Sequence, residues 1–258
     1  MHTITMLGMK GGTGRTMLTM ALAAALIAKG RRVLIVDGTE DGSAFGQFEV
    51  CETLQRWQRL LVEDGLAEDT LEIETFNEDD ALKDLLTRAR RRGVDIALVD
   101  TSNRRNDRLM TCLEAADLIL VPFLGLLEAQ SALSQVELPM GFDGPLFGVA
   151  CALSDPVPTR EEMEHVLGAP VLRTTLPRAA LFQAIPSRGR LDRLVAGIDE
   201  RQIGLPAALA MRDAWSRTLD LAAEVEWALN GWVLEPYDPE PELTRARRIV
   251  ALAAEAAA

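Results

Sequence analysis

The chain has 258 residues, of which 48% are hydrophobic and 26% are charged, and its formal net charge is −12. This length fits one large α/β domain, or one domain with a small appendage, and it allows a sizeable core. The negative charge excludes a protein that is coated all over for nucleic acid, although a few arginines on one face could still contact phosphates.

The cysteines and the apolar segments indicate where the protein works. Cys51, Cys112 and Cys151 form no CxxC pair and no metal-ligand spacing, so we expect buried thiols and a cytoplasmic location. The apolar run at 17–28 is shorter than the roughly 20 residues that span a bilayer, so no membrane partner is expected.

Short apolar runs alternate with helical patterns along the chain. Runs that are apolar throughout are typical of strands that are covered on both faces of a parallel sheet. The strand candidates are residues 4–9, 33–36, 96–99, 118–122, 146–153 and 170–176. Helix candidates include residues 17–29, 79–92 and 159–167. The alternation predicts a doubly wound, mostly parallel α/β sheet with ligands at the carboxyl ends of its strands.

The C-terminal part has a different pattern. Residues 206–232 predict one long helix, followed by a Pro-rich acidic linker at 235–242 and an Ala-rich helix at 243–257. The core-facing residues that the pattern predicts are Leu209, Trp215, Leu219, Leu221, Val225 and Leu229. We therefore expect a main domain over 1–234, with a helical C-terminal extension over 235–258.

A glycine-rich turn joins the first predicted strand to the first predicted helix. Its glycines allow backbone N–H groups to point at an anion, and the helix N-terminus adds partial positive charge. Thr16 stands where a hydroxyl ligates Mg²⁺ in loops of this kind. The predicted nucleotide-binding residues are Gly11, Gly12, Thr13, Gly14, Arg15, Thr16 and Met17. The general pattern G-x-x-x-x-G-K-[ST] fails at two positions, since Met9 replaces the first glycine and Arg15 the lysine.

Residues 10–16, KGGTGRT, resemble the variant loop K-G-G-x-G-K-[ST] of the ParA/MinD family of partition and positioning ATPases. Four later segments are similar to that family in the same order, so that the resemblance covers roughly residues 1–195. They are KGRRVLIVDGTEDGSA at 29–44, VDIALVDTSN at 94–103, AADLILVPF at 115–123 and TTLPRAALFQAIPSRGR at 174–190. The length is also similar to that of a T-DNA-transfer accessory ATPase of this family.

The resemblance implies a P-loop NTPase fold, ATP and Mg²⁺ as cofactors, and an ATP-dependent homodimer. It implies that Lys10 reaches the phosphates of the partner subunit, and that Thr16 and Asp100 hold the Mg²⁺ ion and its water shell. Asp37 matches the family's first acidic residue after the second strand. The family's second aspartate, which orients the attacking water, falls at Thr39.

Arg15 and Thr39 are departures from the family pattern. Arginine keeps the positive charge of lysine, but its planar fork is bulkier than an ammonium group. A threonine has no carboxylate with which to orient water, although Glu40 or Asp41 could substitute. Two interpretations remain: a slowly hydrolysing ATPase switch that partitions or positions DNA or a protein cargo, and a nucleotide-gated binding module with negligible turnover.

A group of arginines in the late segment carries the possible link to DNA. Its members are Arg178, Arg188, Arg190 and Arg193. They are either solvated surface charge or a patch that contacts the DNA backbone, as the family resemblance implies. Because no aromatic residues are interleaved with them, we expect any DNA binding to be independent of sequence and compatible with a location on the nucleoid. A protein partner is also expected, but the sequence does not identify it.

Overall fold

The computed structural model describes residues 1–8, 12–38, 47–76, 79–102, 106–134, 138–139, 142–153 and 157–231. Its strands are β1 (His2–Met6), β2 (Val33–Gly38), β3 (Leu71–Thr75), β4 (Ile96–Thr101), β5 (Leu118–Phe123) and β6 (Leu146–Ala150). They form one sheet in the order β3-β2-β4-β1-β5-β6, and every neighbouring pair is parallel. The predicted doubly wound α/β fold is confirmed.

Helices connect the strands and cover both faces of the sheet. They are α1 (Arg15–Ala28), α2 (Gln47–Glu63), α3 (Asp79–Arg92), α4 (Asp107–Glu114), α5 (Leu126–Ser134), α6 (Arg160–Leu167), α7 (Ala180–Ala184), α8 (Leu191–Ala196), α9 (Glu200–Ile203) and α10 (Leu205–Leu229). A 3₁₀ turn, Ile185–Ser187, follows α7. Within the described ranges, no helix is both long enough and apolar enough to cross a membrane.

The strands have apolar side chains on both faces, which gives the molecule three layers. Alternate residues of β2 belong to different clusters: Val33 and Ile35 pack with α1, α2 and α10, whereas Leu34 and Val36 pack with α3. A third cluster joins β5 to α4, α5 and α6. Because consecutive side chains of a strand point to opposite faces, a run that is apolar throughout is buried on both sides.

The strand predictions hold for the central strands and fail at two places. The first failure is β3, an edge strand that the sequence pattern did not predict because its residues, LEIET, alternate with glutamates and are only partly buried. The second is the predicted strand at 170–176, which forms only two isolated parallel bridges, at Val171 and Leu176. The first strand also ends at Met6 and the sixth at Ala150, which is earlier than predicted.

The long predicted helix is confirmed as α10, which starts with Pro206 in its first turn and ends before Asn230. Of the six predicted core residues, Trp215, Leu221 and Val225 are buried, whereas Leu209, Leu219 and Leu229 are only half-buried. Trp227, near the end of α10, is 54% exposed. The linker at 235–242, the helix at 243–257 and the predicted domain boundary lie outside the described residues.

Two further contacts fix α10 and α2 in place. The carboxylate of Glu226 in α10 forms ion pairs with Lys29 Nζ at 2.9 Å and Arg31 Nε at 2.7 Å, just beyond the C-terminal end of α1. Trp57 of α2 is fully buried, and its indole Nε1 donates to the carbonyl of Gly189 at 3.3 Å. Both helices are thereby attached to the same face of the sheet as α1.

Candidate functional site

The glycine-rich loop lies between the carboxyl end of β1 and the N-terminus of α1. Gly12 and Gly14 have φ values of 81° and 87°, in the left-handed region that L side chains rarely adopt. Gly14 is the N-cap of α1, and having no side chain, it leaves the first-turn N–H groups uncapped. The described half of the loop therefore has the geometry of an anion site; Lys10 and Gly11 lie outside the described residues.

Two aspartates lie at the carboxyl ends of neighbouring strands. Asp37 of β2 stands directly opposite Asp100 of β4 in the register of the parallel pair. Both are buried, with exposed fractions of 3% and 1%. The sheet order places β4 between β2 and β1, so both carboxylates share the edge where the loop begins. The structure thus brings the predicted residues Asp37 and Asp100 together; Thr39 lies outside the described residues.

Thr16 connects the loop helix to β4. Its hydroxyl Oγ1 donates to Oδ2 of Asp100 at 2.6 Å. The next residue of β4, Thr101, donates from its own hydroxyl to the carbonyl of Met6 in β1 at 2.6 Å. The hydrogen bond shows that the two predicted metal ligands are adjacent. Both offer hard oxygen atoms, which are the ligands that Mg²⁺ prefers.

Arg15 does not extend freely into solvent. Its Nη1 donates to the backbone carbonyl of Thr101, at the end of β4. Its aliphatic stem passes over Gly8, where an added Cβ would lie 3.2 Å from Arg15 Cδ. Burial lowers the pKa of the guanidinium, and attraction to Asp100 partly offsets that effect.

The surroundings of Asp100 shift its ionisation. Burial raises the pKa of this carboxyl from 3.8 to about 6, against the opposing effects of the Thr16 hydrogen bond and the Arg15 charge. The neighbouring carboxylate of Asp37 raises the pKa further. An ionised Asp100 is therefore costly in the ligand-free protein and favours a cation beside it.

The remaining predicted nucleotide residues flank this centre. Thr13 is 5% exposed, and Met17 packs at the edge of the core cluster that contains α1. Sequence reasoning missed Thr101 and Gly8. Thr101 follows Asp100 directly, so its position at the strand end was available as a signal, but an interaction made by its backbone carbonyl leaves no mark on the sequence.

The late arginines lie elsewhere. Arg190 pairs with Asp192 at 2.5 Å, and its backbone N–H donates to Asp64, just beyond the C-terminal end of α2. Arg193 donates to the backbone carbonyl of Asp64. Arg178 and Arg188 are exposed. Arg190 and Arg193 therefore lie beside the C-terminal end of α2, where Arg193 is exposed and Arg190 is half-buried.

The described cysteines are buried, and the described side chains form no metal-binding cluster. Cys112 and Cys151 are buried thiols outside any disulfide, and burial raises the pKa of the Cys151 thiol to about 12. Among the residues that the structure describes, no group of three or more His, Cys, Asp or Glu side chains could hold a metal ion. A Mg²⁺ site here would depend on nucleotide oxygens in addition to Thr16 and Asp100, as is common for this ion.

Solved structures with this fold include several ATPases of known type. MinD cell division protein of Aquifex aeolicus has a TM-score of 0.59 and 19% identity, with 92% of this chain and 100% of that chain covered. A ParA family ATPase from Chlorobium tepidum TLS has a TM-score of 0.54 and 18% identity, covering 88% and 97%. The MinD of Pyrococcus horikoshii OT3, solved with Mg-ADP, has a TM-score of 0.54 and 18% identity, covering 87% and 95%. At these identities the likeness establishes the fold.

Sequence comparison is more specific. Protein virC1 of Rhizobium radiobacter is 27% identical over 203 residues, which is 74% of this chain and 83% of that protein. Protein virC1 of Rhizobium rhizogenes gives the same values. The model of the VirC1 protein family matches residues 1–140, which include the loop, Asp37 and Asp100. These matches agree with the resemblance to ParA/MinD-type ATPases and to their T-DNA-transfer subgroup, and the chain belongs to the VirC1 family.

Proposed function

We propose that this protein is a Mg²⁺-ATP-dependent switch of the partition and positioning type. The observation that carries the proposal is the hydrogen bond from Thr16 to Asp100, beside a glycine loop at the N-terminus of α1. A hydroxyl and a carboxylate oxygen beside uncapped N–H groups at a helix N-terminus are a combination suited to Mg²⁺ and phosphate, which supports the proposal. The likeness to a MinD solved with Mg-ADP supports Mg²⁺ and an adenine nucleotide as the ligands.

The residues of this chain fit such a ligand. Backbone N–H groups at Gly12, Thr13 and Gly14 would hold phosphate oxygens, and Thr16 and Asp100 would hold the metal side of the complex. Bound Mg²⁺ supplies charge neutralisation for the phosphates. By resemblance, Asp37 and Lys10 complete the site, with Lys10 reaching the phosphates of a second subunit.

The proposal has two forms that differ in turnover. In the first, ATP is hydrolysed slowly; in the second, the protein is a nucleotide-gated binding module and hydrolysis is negligible. Thr39 separates them, because it stands where the family has a water-orienting aspartate. Positioning of this kind supplies much of the catalysis in phosphoryl transfer.

A direct test of nucleotide binding uses Thr16. We expect isothermal calorimetry to detect ATP binding that requires Mg²⁺, and Thr16→Ala to weaken it by about tenfold because a metal ligand is removed. Thr111→Ala is the matched control, since Thr111 is also a helical threonine and its hydroxyl donates to the carbonyl of Asp107 within its own helix. If the unmodified protein binds no nucleotide, the proposed switch is wrong.

Sedimentation of the same samples tests the dimer: it should form with ATP and not with ADP.

A turnover measurement chooses between the two forms. Thr39→Asp restores the family residue, so we expect a higher rate of phosphate release with little change in ATP affinity, because water positioning acts mainly in the transition state. Thr39→Asn is the control, because asparagine is similar in size to aspartate but carries no charge. Unchanged turnover in Thr39→Asp would mean that the water is held elsewhere, and Glu40 and Asp41 would be the next residues to replace.

The proposed cargo is a DNA element or a protein, and a cytoplasmic location is proposed with it. Arg178, Arg188 and Arg193 are the exposed members of the late arginine group, and the first two support an interaction with the DNA backbone. Arg190 and Arg193 support it less, because each already has a partner of its own in the fold.

A further inference from the structure

Arg15 is a predicted phosphate-binding residue whose side chain is already bonded across the site. Its guanidinium joins the N-terminal turn of α1 to the carbonyl of Thr101, the last residue of β4. Gly8 provides the space for this path, because a Cβ at that position would lie 3.2 Å from Arg15 Cδ and 3.0 Å from Thr13 Oγ1. The arginine therefore holds the loop helix against the strand that carries Asp100.

The charges around Arg15 explain what such a bond does. Asp100 and Asp37 lie opposite each other, almost fully buried, at the ends of adjacent strands. Two buried carboxylates on adjacent strands need a cation, since like charges in a low-dielectric region repel strongly. The guanidinium of Arg15 lies at the carbonyl of Thr101, the residue that follows Asp100, and its attraction to Asp100 opposes the effect of burial on the pKa of both side chains.

We propose that Arg15 is the resident cation of the ligand-free site, holding beside Asp100 the positive charge that a divalent cation contributes once nucleotide is bound. In the absence of nucleotide, a divalent cation then competes with Arg15 for the carboxylate of Asp100, so it binds weakly and stabilises the protein little. Arginine suits this role better than lysine, because its planar fork can donate to the Thr101 carbonyl and still carry its charge next to the residue that precedes it. The inference rests on the proposed nucleotide function for the identity of the cation.

The test is thermal unfolding of the ligand-free protein in a MgCl₂ series at constant ionic strength. For the unmodified protein we expect a melting temperature that does not respond to Mg²⁺. For Arg15→Gln we expect a melting temperature that is about 2–4 °C lower without metal, since one charge-assisted interaction is removed. The same variant should regain roughly 3–5 °C at a Mg²⁺ concentration ten times its dissociation constant, because the carboxylate is then free to bind the ion.

Two variants serve as controls. Arg15→Gln combined with Asp100→Asn should not respond to Mg²⁺, because the carboxylate that binds the ion is gone. Arg15→Lys keeps a positive charge, so its response should be smaller than that of Arg15→Gln. If Arg15→Gln does not fold, the Arg15→Lys protein carries the test: a response larger than that of the unmodified protein supports the proposal, and an equal one contradicts it.

The proposal is overturned if Arg15→Gln does not respond to Mg²⁺, or if the unmodified protein responds as strongly. Calorimetry with ATP is performed separately on the same proteins. Absence of ATP binding there would remove the proposed function and leave the Mg²⁺ titration interpretable, so the two failures are distinguishable.

Discussion

Asp100 is only 1% exposed, although it stands at the carboxyl end of β4, where ligands bind in sheets of this kind. Its hydrogen bond from Thr16 and the charge of Arg15 favour the ionised form, but burial prevails and holds the pKa at about 6. The residue that would bind the metal is thus a source of instability in the ligand-free protein.

This instability predicts a pH dependence that Asp100→Asn removes. The pKa is higher in the folded chain than its usual 3.8, so the folded state binds the proton more tightly. The stabilisation that the proton on Asp100 provides is complete below the unfolded pKa and is lost as the pH rises through about 6. The loss is roughly 3 kcal/mol, because the pKa rises from 3.8 to about 6 on folding.

The measurement is chemical denaturation of the ligand-free protein between pH 4 and pH 7, with the Asp100→Asn protein as reference. Other carboxylates titrate in the same range, so the quantity of interest is the difference between the two free energies of unfolding. That difference should change in favour of the variant as the pH rises. Two curves that stay parallel across this range would contradict the assignment.

At the scale of elements, β6 shows how closely the sheet and its covering helix pack. An added Cβ at Gly148 would lie 2.5 Å from Leu167 Cδ2 at the end of α6, and 3.0 Å from both Phe123 Cε1 and Val171 Cγ2. Glycine at this position therefore allows α6 and the segment after it to approach the strand.

Gly148→Ala should destabilise the protein by about 1–3 kcal/mol, because the methyl group has no space in a packed core. Denaturant unfolding measures the effect. Gly125→Ala is a suitable control, since the nearest atom to its Cβ is the end of a flexible side chain, Glu128 Oε2, at 3.2 Å. A loss of stability as small as that of the control would show that α6 moves aside at little cost.

Elements differ in how well the sequence predicts them, for physical reasons. The strands β2, β4 and β5 are buried on both faces and are apolar over most of their length, so their positions follow from composition alone. The bounds of α3 were predicted correctly, whereas β3 was missed because an edge strand alternates polar and apolar residues over only five positions. The segment at 170–176 has strand-like composition, but its pairing with β6 is limited to isolated bridges, which only tertiary structure decides.

The candidate site was predictable to the extent that motifs encode it. Glycines with positive φ and the Thr16–Asp100 pair follow from a strand–loop–helix pattern and a later strand that ends in aspartate. The route of the Arg15 side chain over Gly8 to a backbone carbonyl was not predictable, because the carbonyl of any residue at that place would serve as acceptor.

At the scale of the whole molecule, the net charge of −12 opposes any approach to DNA. Binding therefore needs a local group of accessible cations, and the exposed members of the late group are Arg178, Arg188 and Arg193. Arg190 contributes less to the local potential because it is paired with Asp192, and Arg193 is held by a hydrogen bond to the backbone carbonyl of Asp64.

Replacing Arg178 and Arg188 together with alanine should weaken binding to duplex DNA of any sequence. It should also reduce the slope of log affinity against log salt concentration by up to roughly one unit for each arginine–phosphate pair that is removed. Replacing Arg90 and Arg91, two exposed arginines at the end of α3, changes the net charge equally and is the control. Equal reductions in both variants would indicate a general charge effect and remove the late segment from the DNA proposal.

The position of Trp57 gives the protein an intrinsic optical probe. The indole of Trp57 is buried between α2 and Gly189 and that of Trp215 is buried in α10, whereas Trp227 is largely solvated, so buried and exposed indoles emit at different wavelengths. The helix that carries Trp57 begins at Gln47, shortly after the segment that contains Thr39. The indole of Trp57 itself touches Gly189, between Arg188 and Arg190. In a Trp215→Phe protein, a shift of the blue component when nucleotide is added would therefore report, without any label, that a rearrangement after the second strand is transmitted to the arginine segment.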